Sequence, residues 1–231
     1  MLEHLGEKLI LHVNIGSFSF SFDVMAMIMS WVVIVVLVLL ALWLRRGLRQ
    51  DVEEKPSRIQ AAVDSLMGLL EGQLTTNFAS EKLAKEMFPF ISTLFLFVLF
   101  SNWVSVIPYF ESPTQNLNIT FSLALLVLFL SQWLAIRMKG VRKYLRGYVE
   151  PFSFMLPLNI VSEVAKPISH AFRLYGNIFG GAILITVLSE RLLPLVVPAI
   201  FNAFFGLFIG AIQAFVFAML AVAYINVAVE S

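Results

Sequence analysis

One arginine in a long apolar stretch is the feature of this sequence with the clearest chemical consequence. Arg173 stands within Pro167–Asn177, between runs of aliphatic and aromatic residues. A guanidinium in hydrocarbon costs about 2.5 to 3.5 kcal/mol on insertion scales, so it is kept where it lines a wet path or meets an anion. Arginine also retains its proton at any ordinary pH. The sequence therefore predicts a fixed positive charge that a mobile carboxylate can approach and a proton cannot cross.

Other polar residues share the helical face of Arg173. At about 100° per residue, they fall within one arc, with Gly180 at its edge: Asn159, Ser162, Glu163, Lys166, His170, Arg173 and Asn177. A second face is marked in the last apolar stretch by Asn202, Gly206, Gly210, Gln213 and Tyr224. One face of each helix is thus predicted to be wet or paired, and its glycines allow other helices to approach closely.

Glu163 is the carboxylate on the Arg173 face, and Lys166 follows it at an i,i+3 spacing. Two interpretations fit these residues: a solvated pair worth tenths of a kcal/mol, or groups along an ion path. Glu163 lies about 15 Å from Arg173 along a helix that rises 1.5 Å per residue. The counter-ion of Arg173 is therefore expected from another chain.

The uncharged members of the stripe also leave alternatives. His170 is either a proton shuttle, because histidine titrates near neutrality, or a packed neutral side chain. Asn177 and Gln213 each offer hydrogen-bond donors and acceptors, and we expect them to orient Arg173.

The elements that carry these residues belong to a membrane protein. Of the 231 residues, 59% are hydrophobic and only 13% are charged, whereas a soluble domain usually has about a quarter charged. The absence of cysteine excludes disulfides, thiolate metal sites and cysteine nucleophiles. We expect no metal, no cofactor and no nucleic-acid partner. No cleavable signal peptide is evident, so the first span is expected to act as an uncleaved signal.

Five apolar stretches approach or exceed the roughly 20 residues that cross a bilayer, and they predict one integral membrane domain over 1–231. Their approximate bounds are 24–44, 87–106, 119–136, 156–188 and 199–229. Basic residues cluster at 45–49 and 137–146, which places both segments in the cytoplasm. The N-terminus is then outside and the C-terminus cytoplasmic. The predicted fold class is an all-α polytopic membrane protein with five transmembrane helices.

Two regions have unusual lengths or charge patterns. The last two stretches would be roughly 45 to 50 Å long as helices, against a hydrocarbon thickness of roughly 30 Å. We expect a long, strongly tilted hairpin; the alternative is a span plus an interfacial piece, with a kink at Pro167. Between the first two spans, apolar residues at helical spacing within 50–85 predict an amphipathic helix. It lies either on the membrane surface or against a partner.

Four stretches together resemble subunit a of F-type ATP synthases, the static half of a rotary motor. They are Phe88–Phe95 with Phe100–Trp103, Pro113–Thr114 with Asn118–Thr120, Lys166–Ser169 leading to Arg173–Asn177, and Gln213–Phe217. The combination of Arg-Leu-Tyr-Gly-Asn with a downstream Gln-Ala-Phe is highly specific, and the likeness extends from about Met87 to the C-terminus.

The resemblance implies that Arg173 faces the carboxylate of each passing c-ring subunit and separates two ion half-channels. It places further residues along the ion path: Glu163, Lys166, His170, Asn177, Gln213, Tyr224 and Asn116. The implied partners are the c-ring proteolipid oligomer, the peripheral stalk b subunits and the lipid bilayer, in a bacterial plasma (inner) membrane. Such a subunit translocates ions for the complex and is not an enzyme on its own.

This sequence departs from the family pattern at three positions. Many relatives carry an acidic residue where this chain has Ala182, some have a histidine at Gly206, and an aspartate is common at Asn116. The outer half-channel therefore lacks its usual titratable groups, and Asp23, Glu111, Glu190 or water alone could replace them.

Two other functions compete with this interpretation. In an ion-coupled secondary transporter or channel, Arg173 would bind an anion, but the repeats with broken helices that favour such a protein are not evident. In a membrane scaffold without ion chemistry, the polar stripes would have no purpose.

Overall fold

Helices dominate the computed structural model, which describes residues 10–15, 18–47, 58–78, 80–107, 110–149, 152–191 and 200–230. Within these ranges, seven α-helices follow one another along the chain. They are α1 (Val24–Gly47), α2 (Arg58–Asn77), α3 (Glu81–Val104), α4 (Leu117–Lys139), α5 (Val141–Gly147), α6 (Leu156–Arg191) and α7 (Gly210–Glu230). Short 3₁₀ turns at Pro113–Gln115 and Ser153–Met155 precede α4 and α6.

A β-hairpin before α1 is the exception to the all-α prediction. Strands β1 (Ile10–Ile15) and β2 (Phe18–Asp23) pair antiparallel, with Ile15 opposite Phe18 and Ile10 opposite Asp23. Six-residue strands can satisfy each other's backbone groups only along one edge, so the hairpin depends on the rest of the chain for stability. The all-α class therefore holds for the segments from Val24 onward that the structure describes.

Four helical segments are long and apolar enough to cross a membrane. These are Val24–Arg45, Glu81–Val104, Leu117–Lys139 and Ile200–Glu230, and they overlap four of the predicted spans. The fourth predicted span, 156–188, coincides with α6, which has 36 residues and continues through Pro167. α6 is not among the four segments of the described chain that meet this criterion. Its crossing of the membrane stays a prediction.

Helices α3, α4, α6 and α7 form the packed bundle that holds the polar stripes. α7 packs against both α3 and α4, and α4 also packs against α6. Ala214, Ala218 and Ala221 of α7 are fully buried, so the α7 backbone can lie close to its neighbours. Ile91 and Val98 of α3 fill the opposing surface.

The predicted amphipathic helix corresponds to α2, and its apolar face packs within this chain. Leu70 and Leu74 are buried in the contact of α2 with α3 and α7. Leu69 is 69% exposed on the other side. At least part of the apolar face of α2 is therefore covered by the helical bundle of this chain.

A π-helical segment, Ala203–Ile209, leads directly into α7. Such segments free backbone carbonyls from their usual helical partners. Here the Asn102 side-chain amide donates to the Gly210 carbonyl over 2.9 Å, and the Trp103 indole donates to the Leu207 carbonyl over 3.3 Å. The end of α3 thus fixes the start of α7.

A buried polar cluster extends this junction to the connection between α3 and α4. Thr114 donates to the Asn102 side-chain oxygen over 2.6 Å, and Ser112 donates to the Ser101 carbonyl over 2.7 Å. Buried polar groups that are satisfied in this way favour one arrangement of the elements. The motif around Pro113 and Thr114 is therefore structural in this chain.

Candidate functional site

Arg173 lies at the middle of α6 with its side chain exposed at the surface of the chain. Within the described residues it makes no hydrogen bond or ion pair. A methyl group placed on Gly176 or on Gly180 would meet no atom within 4 Å. Arg173 and the two glycines therefore belong to an open strip of the α6 surface, which nothing in the described chain covers.

His170, one turn before Arg173, points into the bundle instead. It is 1% exposed, and its ring centroid lies 3.8 Å from that of Phe217 and 5.4 Å from that of Tyr224. Neither ring nitrogen makes a hydrogen bond to another described residue. The geometry is that of the packed histidine, the second of the two alternatives that its position allowed.

Asn177 and Gln213 hydrogen-bond to each other across α6 and α7. The Asn177 amide donates to the Gln213 side-chain oxygen over 2.6 Å, while the Gln213 amide nitrogen is buried without a partner among the described residues. Neither side chain hydrogen-bonds to Arg173 in the part of the chain described. Their bond joins α6 and α7 beside Arg173, and the expectation that they orient Arg173 stays a prediction.

Glu163 and Lys166 form the predicted i,i+3 ion pair, with 2.6 Å between the Lys166 ammonium and the Glu163 carboxylate. Their side chains are only 21% and 23% exposed. The other carboxylate oxygen accepts a hydrogen bond from Gln132 of α4. Both oxygens of Glu163 are therefore held by donors from two helices.

Two tyrosines near α5 continue the chain of hydrogen bonds. The Tyr144 hydroxyl donates to the Gln132 side-chain oxygen over 2.5 Å and lies 2.9 Å from the Tyr148 hydroxyl. Burial, followed by the hydrogen bond with Tyr144, raises the pKa of Tyr148, so this phenol stays neutral. The tyrosines fix which end of the Gln132 amide faces Glu163.

These residues line a cavity of about 460 Å³ at the end of the bundle that carries α5. We call it the lysine cavity because Lys139, Lys143 and Lys166 all line it. Asn159 and Ser162 of α6 contribute further polar groups. The cavity therefore brings together the first half of the predicted α6 stripe.

A second cavity of about 460 Å³ lies at the opposite end of the bundle. We call it the Glu111 cavity. Its walls include Ile178, Ala182 and Thr186 of α6, with Asn202 and Gly206 from the segment before α7. Ala182 and Gly206 therefore face the same space.

Asn116 and Tyr224 line neither of these two cavities. The Asn116 side chain accepts a hydrogen bond from the backbone of Asn118 at the start of α4 and donates to Asp23 over 3.1 Å. Tyr224 lies beside a small space that Glu163 and Lys166 also line. Asn116 is thus a helix cap that ties α4 to α1.

The sequence did not reveal Gln132, which donates to Glu163, or Tyr144 and Tyr148, whose hydroxyls donate to Gln132. Gln132 carries the available signal, since it is a polar residue inside an otherwise apolar span. The tyrosines lie in a basic segment, where their pattern resembles an ordinary membrane surface.

Four described helical segments that are long and apolar enough to cross a membrane, packed together with the helix that carries Arg173, place this chain in the class of multi-pass integral membrane proteins. The sequence model of the family described as ATP synthase A chain matches residues 27–226. The chain therefore belongs to this family, which confirms the resemblance found in the motifs.

Named relatives agree with this family. ATP synthase subunit a of Desulforamulus reducens is 37% identical over 74% of this chain and 67% of its own length. ATP synthase subunit a 1 of Crocosphaera subtropica is 38% identical over 75% and 74%. The sodium ion specific ATP synthase subunit a of Propionigenium modestum is 35% identical over 77% and 65%.

Proposed function

We propose that this chain is the stator subunit of the membrane sector of a rotary F-type ATP synthase. In this role it provides two ion half-channels to the carboxylates of a c-ring, and Arg173 separates them. The observation that carries the proposal is the position of Arg173, exposed and unpaired within the described chain, between the lysine cavity and the Glu111 cavity.

The spacing along α6 supports a barrier at Arg173. Lys166 of the lysine cavity precedes Arg173 by about 10 Å along the helix, and Ile178 of the Glu111 cavity follows it by about 7.5 Å. Each cavity thus ends roughly two helical turns or less from the guanidinium. An ion that enters one cavity must transfer to a group on another chain before it can leave by the other.

The open strip of α6 supports a rotor on this side. A desolvated guanidinium is costly unless an anion meets it, and this chain supplies none within the described residues. Gly176 and Gly180 leave room for a second helix close to the α6 backbone. A ring of helices with one mid-membrane carboxylate each fits both requirements.

The energetics explain why the barrier matters. A proton that crosses the membrane yields about 2.3 kcal/mol for each 100 mV. This free energy becomes rotation only when each ion rides on the ring instead of passing directly between the cavities. Because arginine cannot lose its proton, it blocks that direct path.

The proposal includes the topology: five spans, the N-terminus outside, the C-terminus in the cytoplasm, and a bacterial plasma membrane. α6 and the helix that ends at Glu230 form the tilted hairpin along the ring wall. The continuity of α6 over 36 residues supports tilting rather than a break at Pro167. The peripheral stalk b subunits are expected to hold this stator fixed.

The test of this function is Arg173→Ala in the complete complex. We expect loss of ion-driven ATP synthesis and of ATP-driven pumping, measured in inverted vesicles, while the complex still assembles with its proteolipid ring. Arg173→Lys should not restore coupling, since a buried ammonium can lose its proton and lacks the guanidinium fork. Val161→Ala, 65% exposed elsewhere on α6, is the matched control. Wild-type synthesis by Arg173→Ala would contradict the function.

A further inference from the structure

The Glu111 cavity has one charged side chain among the residues that line it. Glu111 lies in the connection between α3 and α4 and is exposed, with Phe110 and Gln115 beside it on the cavity wall. The remaining polar lining consists of Ser105, Thr186 and Asn202. Among the described residues, a cation that enters this cavity therefore meets one carboxylate, that of Glu111.

The other described carboxylate at this end is already engaged in structural contacts. One Asp23 oxygen accepts from the backbone of Ala26 over 3.1 Å and so caps α1. The other accepts from the Asn116 side chain. Asp23 does not line the cavity, so it cannot exchange ions with that space directly.

The cavity extends from Glu111 toward the barrier. Its α6 wall begins at Ile178, about 7.5 Å along the helix from Arg173, and continues through Ala182 to Thr186. Aliphatic and aromatic side chains such as Ile107, Ile185 and Phe205 form much of the remaining wall. Apolar walls around one charge focus its field along the cleft.

We propose that Glu111 is the ion-capture residue of the cavity opposite the lysine cavity, where it draws monovalent cations from the solvent toward Arg173. This proposal rests on the function proposed above. It assigns to Glu111 the acidic role that the methyl side chain of Ala182, on the same cavity wall, cannot perform. Glu111 acts through its charge at the mouth, and the cation then moves by water along Ser105, Asn202 and Thr186.

The experiment uses the complete ATP synthase in inverted vesicles, with this chain carrying Glu111→Gln or Glu111→Asp. ATP synthesis is driven by imposed gradients of protons and of sodium, with the vesicle lumen, which the Glu111 cavity faces in the proposed topology, at low ionic strength or loaded with choline chloride. Glu81→Gln is the matched control, because Glu81 is an exposed carboxylate at the other end of α3 and pairs only with Lys85 at the surface.

We expect Glu111→Gln to lower the synthesis rate by about ten-fold at low ionic strength, the lower end of electrostatic effects on ion capture. The deficit should shrink with salt, because the Debye length falls from about 30 Å at 0.01 M to about 8 Å at 0.15 M. Glu111→Asp and Glu81→Gln should keep the wild-type rate.

Two results would overturn the role of Glu111: an unchanged rate in Glu111→Gln, or a deficit of equal size at both ionic strengths, which indicates a structural defect. Arg173→Ala separates this failure from that of the proposed function. If Glu111→Gln is unaffected while Arg173→Ala stops synthesis, only the capture role fails. If Arg173→Ala synthesises ATP normally, the function itself fails.

Discussion

At the residue scale, Arg173 differs from Glu163 and Lys166 on the same helix in having no hydrogen-bond or ion-pair partner among the described residues. Glu163 and Lys166 neutralise each other, and Gln132 holds the second Glu163 oxygen. These pairs can remain in a partly wet cleft at little cost. A lone guanidinium at mid-helix is costly unless an anion meets it, so the proposed barrier rests on Arg173 and not on the ion pair beside it.

The Glu163 carboxylate is expected to control access through the lysine cavity, and not coupling. Its charge eases the movement of cations along a narrow cleft, whereas the barrier at Arg173 lies about 15 Å away. Glu163→Gln should therefore slow passive proton conductance by about ten-fold and leave pumping coupled. The measurement is conductance of membranes stripped of the catalytic head.

The control for Glu163→Gln is Ser162→Ala, which changes the neighbouring cavity residue without removing a charge. Unchanged conductance in Glu163→Gln across pH 6 to 9 would reduce Glu163 to a structural partner of Lys166. Loss of coupling, as in Arg173→Ala, would instead make it part of the barrier.

Residue types and helical periodicity predicted the α6 stripe but not what each member contacts. The contact between Glu163 and Lys166 could be predicted from the sequence because both residues lie on one helix at an i,i+3 spacing. The bond between Asn177 and Gln213 joins side chains 36 positions apart, and the distance between α6 and α7 decides it. The packing of His170 against Phe217 depends on the same approach of two helices.

At the element scale, the junction between α3 and α7 is the part that sequence periodicity could not predict. The π-helical segment Ala203–Ile209 changes the face that every later residue presents, yet its composition is that of an ordinary apolar helix. It is stabilised by Asn102 and Trp103, whose side chains donate hydrogen bonds to the Gly210 and Leu207 carbonyls, respectively. Those bonds exist only once α3 and α7 are packed together.

Gly210 is predicted to be intolerant of a side chain at this junction. A methyl group on Gly210 would lie 2.9 Å from the Asn102 Cβ atom, so α3 and α7 would have to separate. The hydrogen bond from the Asn102 side-chain amide to the Gly210 carbonyl would then lengthen. Overpacking of this kind typically costs about 1 to 3 kcal/mol. Gly210→Ala should therefore lower the thermal stability of the solubilised complex, measured by fluorescence-detected size-exclusion chromatography after heating.

Gly68→Ala is the matched control for Gly210→Ala, since nothing lies within 4 Å of a methyl group at Gly68 of α2 and alanine favours a helix. Equal melting of the two variants would show that the contact at Asn102 can relax without cost. A further loss of ATP synthesis in Gly210→Ala is expected only in proportion to the loss of intact complex.

At the scale of the whole molecule, hydrophobic length predicted the helices well because bilayer thickness constrains them directly. The predicted stretches 24–44 and 119–136 correspond to α1 and α4. The β-hairpin before α1 was not predicted, because hydrophobic length identifies membrane spans and does not identify short paired strands. For α6, hydrophobic length is a weaker signal, because polar residues such as Arg173 and Asn177 lie within the predicted span.

Whether α6 crosses the membrane can be tested by finding which side of the membrane residues before and after it occupy. With five spans, Arg142 and Glu230 lie on the same side of the membrane because both α6 and the following helix cross between them. Asn118, at the start of α4, lies on the opposite side. If α6 does not cross, Glu230 changes sides relative to Arg142.

Single cysteines at Asn118, Arg142 and Glu230 provide the measurement, because all three side chains are exposed and the chain contains no native cysteine to remove. In intact cells, a membrane-impermeant maleimide should label Asn118→Cys alone. In inverted vesicles, it should label Arg142→Cys and Glu230→Cys. Labelling of Glu230→Cys together with Asn118→Cys in intact cells would refute five spans, and with them the hairpin that places Arg173 between two half-channels.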